Sequence, residues 1–203
     1  MPAPSPRHHV LYRHPARVAL ATLLAASVGV VSATEAKEKP RMSEHAAHVT
    51  ATQALQGMLE LIRKTPAVGA LTPEAMAERL GFPVKRHGPD DFGYAQALAG
   101  GWAFSVQRQA VASVGPRVDL IFEPVAEDDT PSPEPICTPD FSHFTQELER
   151  MGFKRQRTHG EHGRWTYDAF DRAGQHVEVY PLVDAGSREG DATRTCVSMV
   201  LVR

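Results

Sequence analysis

The residues best suited to bind a metal lie in the segment His159-Gly160-Glu161-His162-Gly163, which contains two imidazoles and a carboxylate. Zinc and copper accept such ligands. Glycine-rich turns hold ligands in no fixed geometry, and nearby cations repel a metal ion. Four basic residues surround this segment: Lys154, Arg155, Arg157 and Arg164. The segment is therefore interpreted as a solvated turn, and no metal is predicted. The basic edge that these residues form is a candidate contact for an acidic partner.

Adjacent carboxylates, Asp90 and Asp91, form the second candidate. Paired acids can perform acid–base catalysis, but neighbouring acids more often cap a turn. They open a segment, 88–101, that is longer than most connections and is read as a loop. Since loops often carry function, Phe92 and Tyr94 at its tip are predicted to contact a partner.

His45 and His48 share a helical face by their spacing. Two histidines without an acidic third ligand do not make a metal site, so they are interpreted as surface residues.

Motifs for common catalytic and nucleotide-binding sites are absent from the chain. It contains no G-x-S-x-G, H-E-x-x-H or S-x-x-K motif, no Walker loop and no Rossmann glycine pattern. The sequence therefore predicts neither an enzyme nor a cofactor.

Cys137 and Cys196 are the two cysteines of the chain. They form no C-x-x-C motif, and neither has a histidine within three residues. In an oxidising compartment such a pair predicts a structural disulfide. In the chain-entropy model, closing this loop stabilises the folded state by about 4 kcal/mol.

The first 33 residues have the order of a secretory signal. Arg7, Arg13 and Arg17 precede an apolar run from Val18 to Val31, and small residues end it at Ala33. The run is shorter than the roughly 20 residues that span a bilayer, which disfavours an uncleaved anchor. Without paired arginines or a nearby cysteine, we expect general export, cleavage near Ala33 and a periplasmic product with no membrane attachment.

The charge balance argues against a nucleic-acid partner. Residues 1–33 hold three arginines and no acid, so the mature chain is more acidic than the whole chain, whose net charge is −2. Nucleic-acid-binding domains are usually basic, so a protein partner is expected.

Two predicted helices with similar residues at their beginnings and ends suggest a repeated module. After a charged, disordered lead-in over 34–42, apolar residues at three- and four-residue steps predict a helix from Ser43. Thr72-Pro73 then begins a second helix that ends at Gly81. Cys137-Thr138-Pro139-Asp140 repeats this beginning, and Gly152-Phe153 repeats the end.

Each of these helices is followed by segments that alternate as strands do. The fold class is therefore α+β: two α-β-β-β modules form a pseudo-repeat with an antiparallel sheet, preceded by an extra N-terminal helix. Residues 43–123 hold the first module, 124–136 an acidic, proline-rich linker, and 137–203 the second. Chance is the alternative explanation, since helix–Gly–Phe–strand order is common. The predicted strands are 84–87, 102–107, 117–123, 154–159, 164–171, 175–183 and 195–202.

In layout, the chain resembles small exported immunity or inhibitor proteins of Gram-negative bacteria. The shared features are the export signal, Cys137 with Cys196 and the lack of catalytic groups. The resemblance implies tight binding to a secreted antibacterial effector, such as a lipase or peptidoglycan hydrolase, with occlusion of its active site. We expect segment 88–101 and turn 154–164 to make the contact.

Two alternatives remain open. Paired modules resemble the vicinal-oxygen-chelate superfamily, whose strands hold a divalent metal, and here only His176 and Glu178 are placed suitably on a strand. The other alternative is an accessory subunit of an envelope or secretion machine.

Overall fold

The computed structural model describes residues 48–126, 130–182 and 195–203. These residues belong to one compact unit. The predicted signal peptide, the lead-in and His45 lie outside the described residues.

Three helices form one layer: α1 is Ala51–Lys64, α2 is Pro73–Leu80 and α3 is Phe141–Arg150. Thr50 and Gln53 cap the beginning of α1 reciprocally. The prediction for α2 is confirmed, since the Thr72 hydroxyl accepts the Ala75 N–H at 3.2 Å and Gly81 ends the helix at φ 79°.

The beginning of α3 differs from the prediction. Asp140, rather than Thr138, caps the helix by accepting the His143 N–H at 2.8 Å. The chain is held back by the Cys137–Cys196 disulfide and by a hydrogen bond from Phe141 N to Thr195 O of 2.9 Å. The helix therefore begins at Phe141, the residue that makes the second of these attachments.

Eight antiparallel strands form one sheet in the order β1-β2-β3-β4-β8-β7-β6-β5, which confirms the α+β class. The last strands of the two halves, β4 and β8, pair at its centre. The strands are β1 Lys85–Arg86, β2 Phe92–Ala97, β3 Trp102–Val111, β4 Gly115–Pro124, β5 Lys154–His159, β6 Trp165–Arg172, β7 Gln175–Leu182 and β8 Cys196–Val202.

The interpretation of 88–101 as a loop was wrong for residues 92–97, which form β2. This strand pairs with β3 from Phe92↔Arg108 to Ala97↔Ala103. Its glycine and alanines have low strand propensity, but pairing along the whole of β2 and the burial of Phe92 outweigh that propensity.

The hydrophobic core lies between the helix layer and one face of the sheet. Inward side chains of the central strands, such as Phe104, Leu120 and Val200, are fully buried with Leu55 and Phe144 of the helices. The core is therefore one-sided, and the opposite face of the sheet carries different chemistry.

The predicted disulfide is confirmed, since Cys137 and Cys196 are bonded with their Cα atoms 4.6 Å apart. It joins the segment before α3 to the first residue of β8. The end of the predicted linker also contacts the core, because Trp102 Nε1 donates to Ser132 O at 2.9 Å.

Candidate protein-binding face

We define the open face as the side of the sheet opposite α1–α3. Among the described residues, no helix packs on it, since all three helices share the core on the other side. Strand register therefore sets which side chains lie next to one another on this face.

An apolar row crosses the middle of the open face. Ile121 of β4 pairs with Met199 of β8, and Met199 pairs with Tyr180 of β7. The ring of Tyr180 packs against Tyr167 of β6, with centroids 4.9 Å apart. All four side chains are half-buried, so the row offers apolar surface that a partner would bury.

A hydrogen-bonded network borders the row along β7. The Tyr180 hydroxyl donates to Glu178 Oε2 at 2.7 Å, and Arg203 Nη2 donates to Glu178 Oε1 at 2.9 Å. The ring nitrogens of His176 lie 3.1 Å from Glu178 Oε1 and 2.7 Å from Asp171 Oδ1. These bonds fix the orientation of the polar groups beside the row.

Tyr180 remains a neutral donor in this network. Burial raises the pKa of its hydroxyl above the ordinary value, and the hydrogen bond and charge of Glu178 raise it further. At physiological pH the row therefore contains a neutral phenol that is already hydrogen-bonded.

A second network lies on the β3–β4 side of the open face. Asp119, only 3% exposed, accepts Gln109 Nε2 at 2.7 Å and Arg117 Nη2 at 2.8 Å. Its Oδ1 and the Arg117 Nε have no hydrogen-bond partner within the described structure. Polar networks thus lie on both halves of the face, as in the polar rim of a protein interface.

Small residues leave a hollow at the β2 end of the face. Gly93, Ala95 and Ser105 help to line a depression of about 450 Å³. A Cβ at Gly93 would lie 2.3 Å from the carbonyl oxygen of Val106, so only glycine fits there. The hollow is a depression in the open face that a partner side chain could fill.

The basic residues singled out in the sequence lie at the other end. We define the basic corner as β5 with the turn 160–164, which links β5 to β6. Asp168, fully buried, accepts Arg155 Nε at 2.7 Å and Arg157 Nε at 3.2 Å. The guanidinium of Arg157 lies 4.4 Å over the ring of Trp165. The other predicted residues of this corner, His159, Glu161, His162 and Arg164, are exposed.

The predicted acidic segment plays a more structural part than the sequence suggested. Asp90 pairs with buried Arg108 at 3.0 Å, and Asp91 accepts Gln107 Nε2 at 2.7 Å. Phe92 is 2% exposed, and Tyr94 is half-buried with its ring 5.2 Å from Phe82. Neither aromatic residue forms an exposed loop tip.

The two predicted contact segments lie towards opposite edges of the sheet. The β1–β2 turn is at one edge and the β5–β6 turn at the other, and strand directions place these turns at opposite ends. Eight strands spaced about 4.8 Å apart separate the edges by roughly 34 Å. The structure therefore does not bring the segments together.

Within the described ranges, no three His, Cys, Asp or Glu residues are grouped so that they could hold a metal ion. His176 and Glu178 do lie on one strand, as the vicinal-oxygen-chelate comparison requires, but they hydrogen-bond to each other. In the same part of the chain, every helix is too short or too polar to cross a membrane.

Sequence reasoning missed the open face because it depends on which distant strands are neighbours. Alternation in β4 and β7 marks two faces, but only the pairing of β4 with β8 and of β8 with β7 aligns Ile121, Met199 and Tyr180. The function must be inferred from this geometry, since no protein-family model, no curated protein and no solved structure matches the chain.

Proposed function

We propose that the chain is an exported, periplasmic protein-binding domain that neutralises a secreted antibacterial effector by covering its active site. The observation that carries the proposal is the apolar row of Ile121, Met199, Tyr180 and Tyr167 between polar networks on the open face. Stable protein interfaces have this composition, with an apolar centre rich in Tyr and Met and a polar rim.

The bonding of the polar groups supports binding over catalysis. Glu178 is hydrogen-bonded by Tyr180 and Arg203, and His176 contacts carboxylates at both ring nitrogens. A metal at His176 would have to displace one of these contacts. A preorganised surface, by contrast, loses little entropy when a rigid partner binds.

The basic corner is part of the proposed contact. Thr158 of β5 pairs with Tyr167, so this corner adjoins the apolar row. Asp90 and Asp91 lie at the far corner, and a partner would reach them only by covering the whole face.

The two-module pseudo-repeat is retained as a proposal, with four strands in each module where three were predicted. In each half of the sheet, four antiparallel strands follow one helix, α2 or α3, and the halves meet at β4 and β8. The halves differ in the beginnings of α2 and α3 and in the outermost strand, which has two residues in β1 and six in β5. An accessory subunit of an envelope machine would use the same surface, but with a membrane assembly as its partner.

The binding proposal is tested with the mature domain as bait for effectors secreted by its host and by competing bacteria. A captured hydrolase should lose activity on adding the domain. Met199→Lys should weaken binding by at least about 30-fold, as expected for an interface hot spot. Gln146→Lys, which adds the same charge to the exposed surface of α3, should change binding by less than about threefold. Equal binding by both variants would refute the open-face contact.

Export is tested separately. N-terminal sequencing of the protein recovered from the periplasm should begin near Thr34, after removal of the apolar run. A chain that still begins at Met1 in the cytosol, with both cysteines reduced, would contradict the proposal.

A further inference from the structure

Met199 places a thioether in the middle of the open face. It lies between Ile121 of β4 and Tyr180 of β7 in the apolar row. Its side chain is half-buried, so part of it is exposed to solvent. The thioether of methionine is oxidised to a sulfoxide, which turns a flexible apolar side chain into a polar one. Met199 therefore combines chemical reactivity with a central position on the proposed binding surface.

We propose that Met199 is an oxidation site at which peroxides weaken the binding of the partner. A lone pair of Sδ attacks one oxygen of hydrogen peroxide, and the O–O bond breaks. The sulfur keeps this oxygen and loses two electrons, while the leaving hydroxide takes the hydrogen of the transferred oxygen and becomes water. The oxidant is thus a peroxide and the reductant is Met199 itself. The proposal rests on the function above for the identity of the partner.

The other methionines among the described residues are better protected. Met58 and Met76 are fully buried in the helix layer. Met151 is half-buried and packs against the hydrophobic core. Met199 lies on the opposite side of the sheet, where no helix packs in the described part of the chain. A peroxide in solution should therefore reach Met199 first.

No free thiol competes for the oxidant. Thiolates are the groups that usually react with peroxides at redox-sensitive sites. The chain has two cysteines, Cys137 and Cys196, and they are joined in the disulfide. The thioether of an accessible methionine is thus the most readily oxidised sulfur that remains.

A sulfoxide at position 199 would be poorly accommodated beneath a partner, because its oxygen needs a hydrogen-bond donor. Ile121 is apolar, and the Tyr180 hydroxyl already donates to Glu178 Oε2 at 2.7 Å. The hydroxyl of the adjacent Ser198 donates to the carbonyl oxygen of Tyr180 at 3.1 Å. Covering an unpaired acceptor should weaken binding by roughly 5- to 150-fold.

The site is tested on the mature protein without any partner. Limited treatment with hydrogen peroxide, followed by peptide mass spectrometry, measures the rate of sulfoxide formation at each methionine. The rate at Met199 should be at least about threefold that at Met151 and at least about tenfold that at Met58 and Met76. In guanidinium chloride the rates should become similar, because unfolding exposes every methionine.

The consequence is measured with the captured effector, which is added after the peroxide has been removed. Oxidation of Met199 should lower the affinity at least about fivefold, and the two methionine sulfoxide reductases should restore it. Met199→Leu keeps an apolar side chain without the sulfur. Whatever its initial affinity, peroxide should change it by less than about twofold. The matched control Met151→Leu should keep the full sensitivity to peroxide.

Either of two results would overturn the inference: equal oxidation rates at Met199 and Met151 in the folded protein, or unchanged affinity of the oxidised domain for the effector. The second result would leave the proposed function intact. If the untreated domain bound no effector, the proposed function would fail, whereas the order of the oxidation rates would still decide whether Met199 is the oxidation site.

Discussion

Asp168 shows how a single buried charge organises a surface. Its carboxylate holds two arginines and an indole, yet it is fully buried. Strict alternation along β6 would place Trp165, Tyr167 and Ala169 on one face. The structure places Tyr167 on the open face and Trp165 against α3. Alternation alone could not identify Asp168 as buried. An aspartate on the face of a strand opposite to its aromatic residues normally indicates that this face is exposed to solvent.

Replacing Asp168 by Asn should lower the free energy of unfolding by about 1–3 kcal/mol, the usual cost of losing charge-assisted hydrogen bonds at a buried site. Denaturant unfolding measures the change. Glu149→Gln removes a distant, exposed partner of Arg155 and should cost less than about 0.5 kcal/mol. Equal stability of the two variants would contradict the role of Asp168.

Tyr180 gives the open face a dependence on alkaline pH. Its folded pKa is raised by burial and by Glu178, whereas an unfolded tyrosine ionises near pH 10. The unfolded state therefore loses its proton first, so this contribution to stability is complete below about pH 10 and declines above it. Tyr180→Phe should show a smaller loss of stability across this range in urea unfolding. Identical pH profiles for the two proteins would be inconsistent with the raised pKa.

At the scale of elements, close packing between α1 and α2 depends on Gly57. A Cβ at this position would lie 2.5 Å from the carbonyl oxygen of Leu80. Gly57→Ala should therefore cost about 1–3 kcal/mol in overpacking, despite the better helix propensity of alanine. Gln56→Ala, on the exposed side of α1, should change stability by less than about 0.5 kcal/mol in the same denaturant series. A neutral or stabilising Gly57→Ala would show that the helices can separate without cost.

The disulfide links the beginning of α3 to the sheet. Cys137 and Cys196 are separated by 59 residues, so replacing both by serine should cost about 4 kcal/mol in the chain-entropy model. Guanidinium unfolding of the oxidised protein and the double variant measures this difference. A loss below about 1 kcal/mol would mean that the bridge does not restrict the unfolded chain as expected.

Element prediction succeeded where local chemistry is decisive. Thr72 and Gly81 bound α2 as their side-chain and backbone chemistry requires. It failed where tertiary contacts override local signals. β2 is stabilised by its pairing with β3, and α3 begins at Phe141, whose N–H is bonded to Thr195 O, four residues after the disulfide-bonded Cys137.

At the scale of the molecule, the sequence predicted the class and the disulfide, but not how the halves meet. The pairing of β4 with β8 joins segments far apart in the chain, and no local pattern specifies it. That pairing aligns the side chains of the apolar row. It also places the two predicted contact segments towards opposite edges of the sheet. The candidate site is thus a consequence of topology, whereas only the charge of the basic corner could be read from the sequence.

The central claim, that a protein partner covers the open face, is tested most directly by methyl NMR of the methionines with the captured effector. Met199 lies in the apolar row, whereas Met58 and Met76 are fully buried in the helix layer and serve as internal controls. We predict that a saturating partner shifts or broadens the Met199 methyl signal and leaves the Met58 and Met76 signals in place. An unchanged Met199 signal in a saturated complex would contradict the account.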